Sequence, residues 1–446
     1  MYKRAAFHSF VILSCLAAAI AVAQTTQSIP SRNTDVSSIY IASATETVEL
    51  TTQFTSLKEK AELGDAQAQY QLGNVYARGK QVAADSGEAL KWWRRAAEQG
   101  HVKAENEVGA TYLLGRGVSR DCTEAVHFLR AAAEQDSLAA QFNLGSLYEH
   151  GTCVEQDNAE AVKWFRKATE RGFGPAENDL GVMYLKGAGV TQNSIQAFEL
   201  IRLSAQQGDP GGQNNLGWLY IEARGVPRDY PSAMHWFQEA AAQGYPAAYY
   251  GIGYLYDAGK GVPKNHKEAA DMYLKAAEMN HAPSEAVLGM LYLIGDGVAQ
   301  DYGKSVEWFR RAAEQGDPHG QNGLGHAYFT GQGVKQDVRQ AAEWFQKSAE
   351  LGDPVAQANL GHVLESGQGI SVNYVEAYKW YHLSADQGCA EGDHAMNALA
   401  KIMTPKQLKE SEVRISMWLQ QHRMIQTNHG FNPNGSLPAS SAWYPH

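Results

Sequence analysis

The chain has 446 residues, a formal net charge of −10 at pH 7 and 44% hydrophobic residues. A phosphate-binding surface needs clustered Lys and Arg, whereas the basic residues here are scattered, so the composition argues against a nucleic-acid partner. No second apolar span follows the N-terminal one, and we therefore expect no integral membrane span once that segment is removed. The composition favours an exported all-α protein.

Residues 1–23 have the features of a signal peptide. Lys3 and Arg4 are basic, residues 10–22 are apolar, and an Ala-Val-Ala motif at the end supplies small residues for cleavage. We expect cleavage there and a periplasmic or secreted protein. An uncleaved membrane anchor is the alternative. A lipoprotein attached through Cys15 fits less well, because the residues before Cys15 are a poor match to the small residue that usually precedes a lipoprotein cysteine.

The next segment, residues 24–56, is rich in Thr, Ser, Gln and Ala and predicts a flexible linker. Residues 57–63 predict a short helix that covers the first repeat.

A 36-residue repeat then fills most of the chain. Its marker is a Leu-Gly or similar pair whose glycines are Gly73, Gly109, Gly145, Gly181, Gly217, Gly253, Gly289, Gly325 and Gly361. This period is typical of solenoids in which each helical hairpin buries its apolar face against its neighbours. We expect an all-α solenoid of nine α-hairpins over residues 57–397.

The first helix of each hairpin carries a glycine inside its apolar face. In the first copy Ala68, Leu72, Val75 and Tyr76 have helical spacing, with Gly73 between them. Glycine in a helix costs about 1 kcal/mol relative to Ala, so its recurrence predicts a close approach by another helix. A Gly-x-Gly-Val loop then ends the helix, because glycine tolerates the positive φ of a tight turn.

The second helix begins at a fixed Asp or Asn, three residues after the loop valine. These N-cap residues are Asp85, Asp121, Asp157, Asn193, Asp229, Asn265, Asp301, Asp337 and Asn373. Glu or Gln follows three positions later in most copies, which predicts a complete capping box. A tryptophan column comes next, at Trp92, Trp164, Trp236, Trp308, Trp344 and Trp380. We interpret it as buried core rather than a ligand-stacking ladder.

The run Leu-Gly-x-x-Tyr, Gly-x-Gly-Val, Asp, Ala-x-x-Trp-Phe, Ala-Ala-Glu-Gln-Gly resembles the Sel1-like repeat, a relative of the tetratricopeptide repeat. The resemblance covers residues 61–397. It implies a right-handed superhelix of α-hairpins that acts as an adaptor and binds other proteins on its concave face.

The C-terminal end should close the stack. Residues 398–423 predict a capping helix in which Leu408, Val413, Ile415 and Trp418 share one face. Thr404 is the expected N-cap, with proline at the first helical position. Residues 424–446 are rich in Asn, Gly, Pro and Ser and predict a disordered tail.

Three cysteines remain after the predicted cleavage. Cys122 opens the second helix of copy two, and Cys153 replaces a loop glycine of copy three, so both should lie at the same end of adjacent hairpins. A disulfide between them is a candidate in an oxidising compartment, and two reduced thiols are the alternative. Cys389 has no obvious partner.

No catalytic motif stands out. The sequence has no Gly-x-Ser-x-Gly, His-Glu-x-x-His or Cys-x-x-Cys motif, its histidines follow no ligand spacing, and we predict no enzyme activity, no metal site and no cofactor.

Binding residues are best sought where the copies differ. The column after the helix glycine reads Asn74, Ala110, Ser146, Val182, Trp218, Tyr254, Met290, His326 and His362, and its phase points to the inner face. Aromatic anchors flanked by amides are typical of interfaces. The predicted protein-binding residues of the concave groove are Trp218, Tyr254, Met290, His326, His362, Asn214, Asn215, Tyr250, Asn178 and Asn322. Packing of these side chains onto adjacent first helices is the alternative.

The sequence therefore predicts an exported, monomeric scaffold that binds a protein or peptide. A host-directed virulence or adhesion factor is a second interpretation, and an enzyme associated with cell-wall or β-lactam material is a third.

Overall fold

The computed structural model describes residues 52–79 and 82–429, with side chains described up to residue 422. These residues form 21 helices and no strand. The chain divides into an N-terminal unit, residues 52–192, and a C-terminal unit, residues 193–429, each of which is described by itself. The predicted signal peptide, nearly all of the linker and the end of the tail lie outside the described residues.

The N-terminal unit contains α1 to α8. Helix α1 covers residues 52–62, and the others are α2 (Ala66–Arg78), α3 (Ser86–Ala97), α4 (Val102–Leu114), α5 (Cys122–Glu134), α6 (Leu138–His150), α7 (Asn158–Thr169) and α8 (Gly174–Lys186). Helix α1 starts five residues earlier than predicted, because Phe54 packs edge-on against Tyr76, with ring centroids 6.3 Å apart.

The C-terminal unit contains α9 to α21. These helices are α9 (Ser194–Gln206), α10 (Pro210–Glu222), α11 (Tyr230–Ala242), α12 (Pro246–Ala258), α13 (His266–Glu278), α14 (Ala282–Ile294), α15 (Tyr302–Glu314), α16 (Pro318–Thr330), α17 (Val338–Glu350), α18 (Pro354–Ser366), α19 (Tyr374–Ala385), α20 (Ala390–Ala400) and α21 (Pro405–His429). From α2 to α20, each helix packs on the next along the chain within its unit, and α21 packs on α19. In the C-terminal unit first helices also pack on first helices, as α10 does on α12 and α14 on α16. The all-α solenoid is confirmed, and its right-handed superhelix stays a prediction.

The helix glycines face bulky side chains of the second helix, as the sequence predicted. A Cβ atom added to Gly289 would lie 2.5 Å from Cδ1 of Phe309, and one added to Gly73 would lie 2.4 Å from Cδ1 of Trp93. Because real Cβ atoms do not approach so closely, only glycine allows the two helices of a hairpin to pack at this distance. The large side chain in contact is the residue directly after the tryptophan column.

The tryptophan column itself is less buried than predicted. Trp92, Trp164 and Trp380 are buried, but the other three tryptophans of the column, Trp236, Trp308 and Trp344, are only half-buried. The residue that follows each tryptophan occupies the space opposite the glycine, which leaves the indole at the edge of the core. A basic side chain three residues on covers several of these rings, as Lys347 does at 3.9 Å from the Trp344 centroid.

All nine predicted N-caps are confirmed. Each Asp or Asn accepts a hydrogen bond from a backbone N–H in the first turn of the second helix. The predicted second bond of the capping box, from the backbone N–H of the cap residue to the Glu or Gln side chain three positions later, was wrong. The N–H of the cap residue donates instead to the carbonyl of the first-helix tyrosine, as from Asp121 to Tyr112 at 3.1 Å. The glutamate three positions on is free to pair elsewhere, as Glu88 does with Lys91 at 2.9 Å.

Consecutive hairpins meet where a loop glycine lies over the start of the preceding second helix. A Cβ atom on Gly297 would lie 2.2 Å from the carbonyl oxygen of His266, and one on Gly225 would lie 2.0 Å from that of Ser194. Gly297 also has φ of 69°. This junction therefore demands glycine for both its backbone conformation and its closeness to the neighbouring copy.

The C-terminal helix α21 covers the end of the stack. Ile415 is buried, and Trp418 packs on the same cluster as Trp380. The hydroxyl oxygen of Thr404 accepts from the Gln407 N–H at 3.3 Å, and the Gln407 side chain accepts from the Thr404 N–H at 2.9 Å, so this cap is reciprocal. Val413 was predicted on the buried face but is 52% exposed.

Candidate protein-binding site

The column after the helix glycine differs between the two units. In the N-terminal unit Ser146 and Val182 are buried, Ala110 offers little side chain, and Asn74 is partly exposed but accepts a hydrogen bond from the Trp93 indole at 3.2 Å. In the C-terminal unit the column residues are larger and all keep some exposure; they are Trp218, Tyr254, Met290, His326 and His362. The predicted site residues with accessible side chains are therefore concentrated in the C-terminal unit.

Three of these aromatic residues form one surface, which we call the aromatic patch: Trp218 on α10 with Tyr250 and Tyr254 on α12. The Trp218 ring centroid lies 5.4 Å from that of Tyr254 and 6.2 Å from that of Tyr250. Each ring is only partly buried. Tilted ring pairs at these distances are favourable contacts, and they hold the three side chains in fixed relative positions.

A fully buried phenylalanine supports the patch from below. The ring of Phe237, on α11, lies 5.4 Å from that of Trp218. Glycines on two helices make room for it, because a Cβ atom on either Gly217 or Gly251 would lie 2.6 Å from a Phe237 ring carbon. The phenylalanine therefore fills the space between α10 and α12 and keeps Trp218 at the surface.

A charged lysine borders the patch on one side, and buried neutral side chains border it on the other. The Lys260 ammonium lies 4.6 Å from the Tyr254 ring centroid and contacts the Tyr254 hydroxyl. Burial raises the pKa of Tyr250, as does the nearby negative charge of Asp317. Burial lowers the pKa of His281, whose ring lies 5.6 Å from that of Tyr250, to about 4. Both side chains are therefore neutral near pH 7.

The remaining column residues do not extend the predicted ridge as one surface. Met290 packs on the next cluster, around Phe309, whereas Trp218 and Tyr254 pack around Phe237. Burial lowers the pKa of His326, which keeps its imidazole neutral near pH 7. His362 is exposed, and its ring lies 5.9 Å from that of Phe329.

The predicted amide flank is not an open surface. Four of its asparagines are buried, with exposures between 4% and 7%: Asn178, Asn214, Asn215 and Asn322. Asn322 accepts a hydrogen bond from Asn359 of the adjacent first helix at 2.9 Å, whereas Asn178 donates to Asp179 of its own helix at 3.0 Å. The expectation that these amides are accessible was wrong, because their phase on the helix faces the neighbouring first helix.

The structure joins Cys122 and Cys153 in a disulfide, with Cα atoms 4.9 Å apart. Cys153 occupies the loop-glycine position of its copy and keeps the positive φ of that position, 64°. Its partner is the first residue of the preceding second helix, the same position that faces Gly117 and Gly297 at other junctions. The bond therefore replaces a tight glycine contact. Cys389 is a free thiol.

Two features of this region escaped the sequence prediction. Lys260 lies in a loop, so the helical spacing that places Tyr254 could not predict the contact between these two side chains. A group formed by Asp257, His266 and Asp296 is also present, although the sequence predicted no metal site. An alignment of the nine copies indicates it, because His and Asp stand at the aligned positions of these three residues within two consecutive copies.

None of the helices in the described part of the chain has both the length and the hydropathy needed to span a bilayer.

The fold and the exposed column define the class of this protein as a helical-repeat solenoid. The Sel1 repeat family model matches nine consecutive segments: residues 66–101, 102–137, 138–173, 174–209, 210–245, 246–281, 282–317, 318–353 and 354–389. The chain belongs to the Sel1 repeat proteins, a family of scaffolds that generally mediate protein–protein interactions and are typically not enzymes.

Two solved structures are similar to this chain in sequence. The chain is 32% identical to c5321, described as a protective antigen of uropathogenic Escherichia coli strains; the match covers 84% of this chain and 97% of that one, with a TM-score of 0.36. It is 30% identical to a Sel1 repeat protein from Oxalobacter formigenes, covering 78% and 99% of the two chains, with a TM-score of 0.49. No curated protein matches.

Proposed function

We propose that this chain is an exported scaffold that binds a protein or peptide partner on the aromatic patch. The observation that carries the proposal is the patch itself, in which the partly exposed ring of Trp218 contacts those of Tyr250 and Tyr254 and rests on the buried ring of Phe237. Tyrosine and tryptophan bury large areas at low conformational cost and dominate binding energy at many interfaces.

The rigidity of the patch supports this role. Phe237 is held between two helix glycines, and the patch rings contact one another, so little side-chain entropy is lost when a partner covers them. An apolar side chain of the partner would contact the rings, and the Lys260 ammonium is available at the edge for an acidic or carbonyl group.

Two independent features favour an exported protein. Residues 1–23, which lie outside the described residues, have the basic, apolar and small-residue order of a signal peptide. The Cys122–Cys153 disulfide suits an oxidising compartment such as the periplasm or the extracellular space. Fractionation of the native cells into periplasm and culture supernatant decides between these two locations, and gel filtration tests the monomer.

The binding proposal is tested by affinity capture with two paired variants. Trp218→Ala/Tyr254→Ala removes the patch, whereas Trp236→Ala/Trp308→Ala removes two half-buried tryptophans of the second helices. Loss of hot-spot residues costs about 2 kcal/mol or more, so we expect the patch variant to bind the captured partner about 30-fold or more weakly. The control should keep wild-type affinity.

Thermal melts of both variants establish that they are folded. A patch variant that is folded and captures every partner as well as the wild type does would refute the proposal. Equal losses in both variants would also contradict it, because they would show that binding depends on tryptophans outside the patch.

A further inference from the structure

Three potential metal ligands converge at one junction of the C-terminal unit. Nδ1 of His266 lies 3.0 Å from Oδ1 of Asp257 and 3.1 Å from Oδ2 of Asp296. All three candidate ligand atoms lie within 4.8 Å of one another. Asp257 is near the end of α12, His266 is the first residue of α13, and Asp296 lies in the loop after α14, in the next copy.

The repeat geometry explains why these residues meet. The first residue of a second helix always lies under the loop of the following copy, as His266 lies under Gly297. Asp296 directly precedes that glycine, and Asp257 is in the final turn of the first helix that leads to His266. The three side chains therefore reach one point from three separate elements, two of them in one copy and one in the next.

Other copies do not repeat this combination at the same three positions. At the position of Asp257, Glu149 and Glu365 keep a carboxylate, whereas Leu113, Ile221, Leu293 and Phe329 are apolar. The equivalents of His266 include Ser86, Asn158, Ser194 and Tyr302, and those of Asp296 include Arg116, Ala188, Arg224 and Gln332. The fold thus requires neither a carboxylate nor an imidazole at any of them. Among the repeat copies, all three positions carry ligand types together around this single junction.

We propose that Asp257, His266 and Asp296 bind one divalent transition-metal ion, with Zn²⁺ the best match. One imidazole nitrogen and two carboxylate oxygens are common zinc ligands at about 2.0–2.2 Å, and ligand atoms around a tetrahedral ion of this size lie about 3.3 Å apart. The nitrogen–oxygen separations at the junction are close to that value. Two carboxylates and a neutral imidazole also balance the charge of a divalent ion.

Access to the site fits a bound ion with a further ligand from solvent. The side chains of Asp257, His266 and Asp296 are 13%, 33% and 38% exposed, so the ion can enter and one coordination position remains for water. The consequence for the fold is a cross-link between consecutive hairpins, made where the Cys122–Cys153 disulfide links another pair. This inference is independent of the proposed binding function.

The test measures Zn²⁺ binding to the full chain after removal of metal by a chelator. We expect one tightly bound ion for each chain, a rise in melting temperature on adding Zn²⁺, and affinity at least tenfold weaker in Asp257→Asn, Asp296→Asn and His266→Gln. The matched controls are Asp271→Asn and His235→Gln, which change exposed residues of α13 and α11 and should bind like the wild type.

Spectroscopy of the unmodified chain makes the test independent of how the variants fold. Co²⁺ substitution and X-ray absorption of the zinc form should show nitrogen and oxygen ligands with one imidazole and no sulfur, which excludes the free thiol of Cys389. Failure to bind Zn²⁺ at stoichiometric concentration would overturn the proposal. Equal affinity in Asp296→Asn and the wild type, or a sulfur ligand in the spectrum, would show an adventitious ion only and would overturn it as well.

Discussion

Gly217→Ala should destabilise the wild-type protein but stabilise a protein in which Phe237 is truncated to alanine. In the wild type the new methyl group would lie 2.6 to 2.9 Å from three ring atoms of Phe237. The ring cannot move away, because Gly251 of the next first helix lies so near that a Cβ atom built there would be 2.6 Å from the same ring. Overpacking of this kind costs about 3 kcal/mol at the upper end of its range. Alanine returns about 1 kcal/mol of helix propensity. The net loss for Gly217→Ala should therefore be about 2 kcal/mol.

The same substitution in a Phe237→Ala background should stabilise the protein by about 1 kcal/mol, because the ring is gone and only the helix propensity remains. The coupling energy between the two sites is then about 3 kcal/mol, at the top of the range for residues in contact. Urea denaturation followed by circular dichroism measures all four proteins of this cycle. A Gly217→Ala effect of the same sign and size in both backgrounds would refute the proposed packing of the helix glycines.

Three further predictions concern the caps, the disulfide and pH. Asp157→Ala should cost about 1 kcal/mol in urea denaturation because an N-cap is lost, whereas Glu160→Ala should cost under about 0.5 kcal/mol because Glu160 only pairs with an exposed lysine; equal costs would restore the complete capping box. Reduction of the Cys122–Cys153 disulfide should lower the free energy of unfolding by about 2–4 kcal/mol. The double variant Cys122→Ser/Cys153→Gly should lose less stability than Cys122→Ser/Cys153→Ser, because glycine accepts the positive φ at position 153 without strain. The opposite order of stability would contradict this prediction. The pKa of His281 is about 4 in the folded chain and higher in the unfolded chain. Between these two values the unfolded state binds one more proton, so the free energy of unfolding should fall as pH decreases from about 6.5 to 4. If His281→Phe has the same pH dependence as the wild type, this assignment is excluded.

Most of the fold could be predicted because it depends on local chemistry that recurs in every copy. Helix glycines, loop glycines and N-cap residues each satisfy a backbone requirement that sequence spacing reveals. The missing half of the capping box could not be found in this way. Its outcome depends on the tyrosine carbonyl that competes for the N–H of the cap residue, as Tyr112 does for Asp121, and that contact is visible only once the loop is folded.

The site was less predictable because side-chain exposure depends on residues in neighbouring copies. Trp218 stays at the surface because Phe237 fills the space beneath it, and this arrangement requires glycine on two first helices at once. The asparagines at nearby positions have the same local sequence signal as accessible amides, yet Asn322 is buried and accepts a hydrogen bond from Asn359 of the next first helix. The ligand group around His266 joins three elements of two copies, so no local spacing could indicate it.

The most direct test of recognition on the aromatic patch is site-specific photo-crosslinking in the native cell. A photoreactive phenylalanine analogue replaces Tyr254 in one protein and Glu343, an exposed residue of α17, in another. Mass spectrometry should identify a partner protein attached through position 254 and absent from position 343. Attachment of the same proteins in the same amounts at both positions, or of no protein at position 254, would contradict the account.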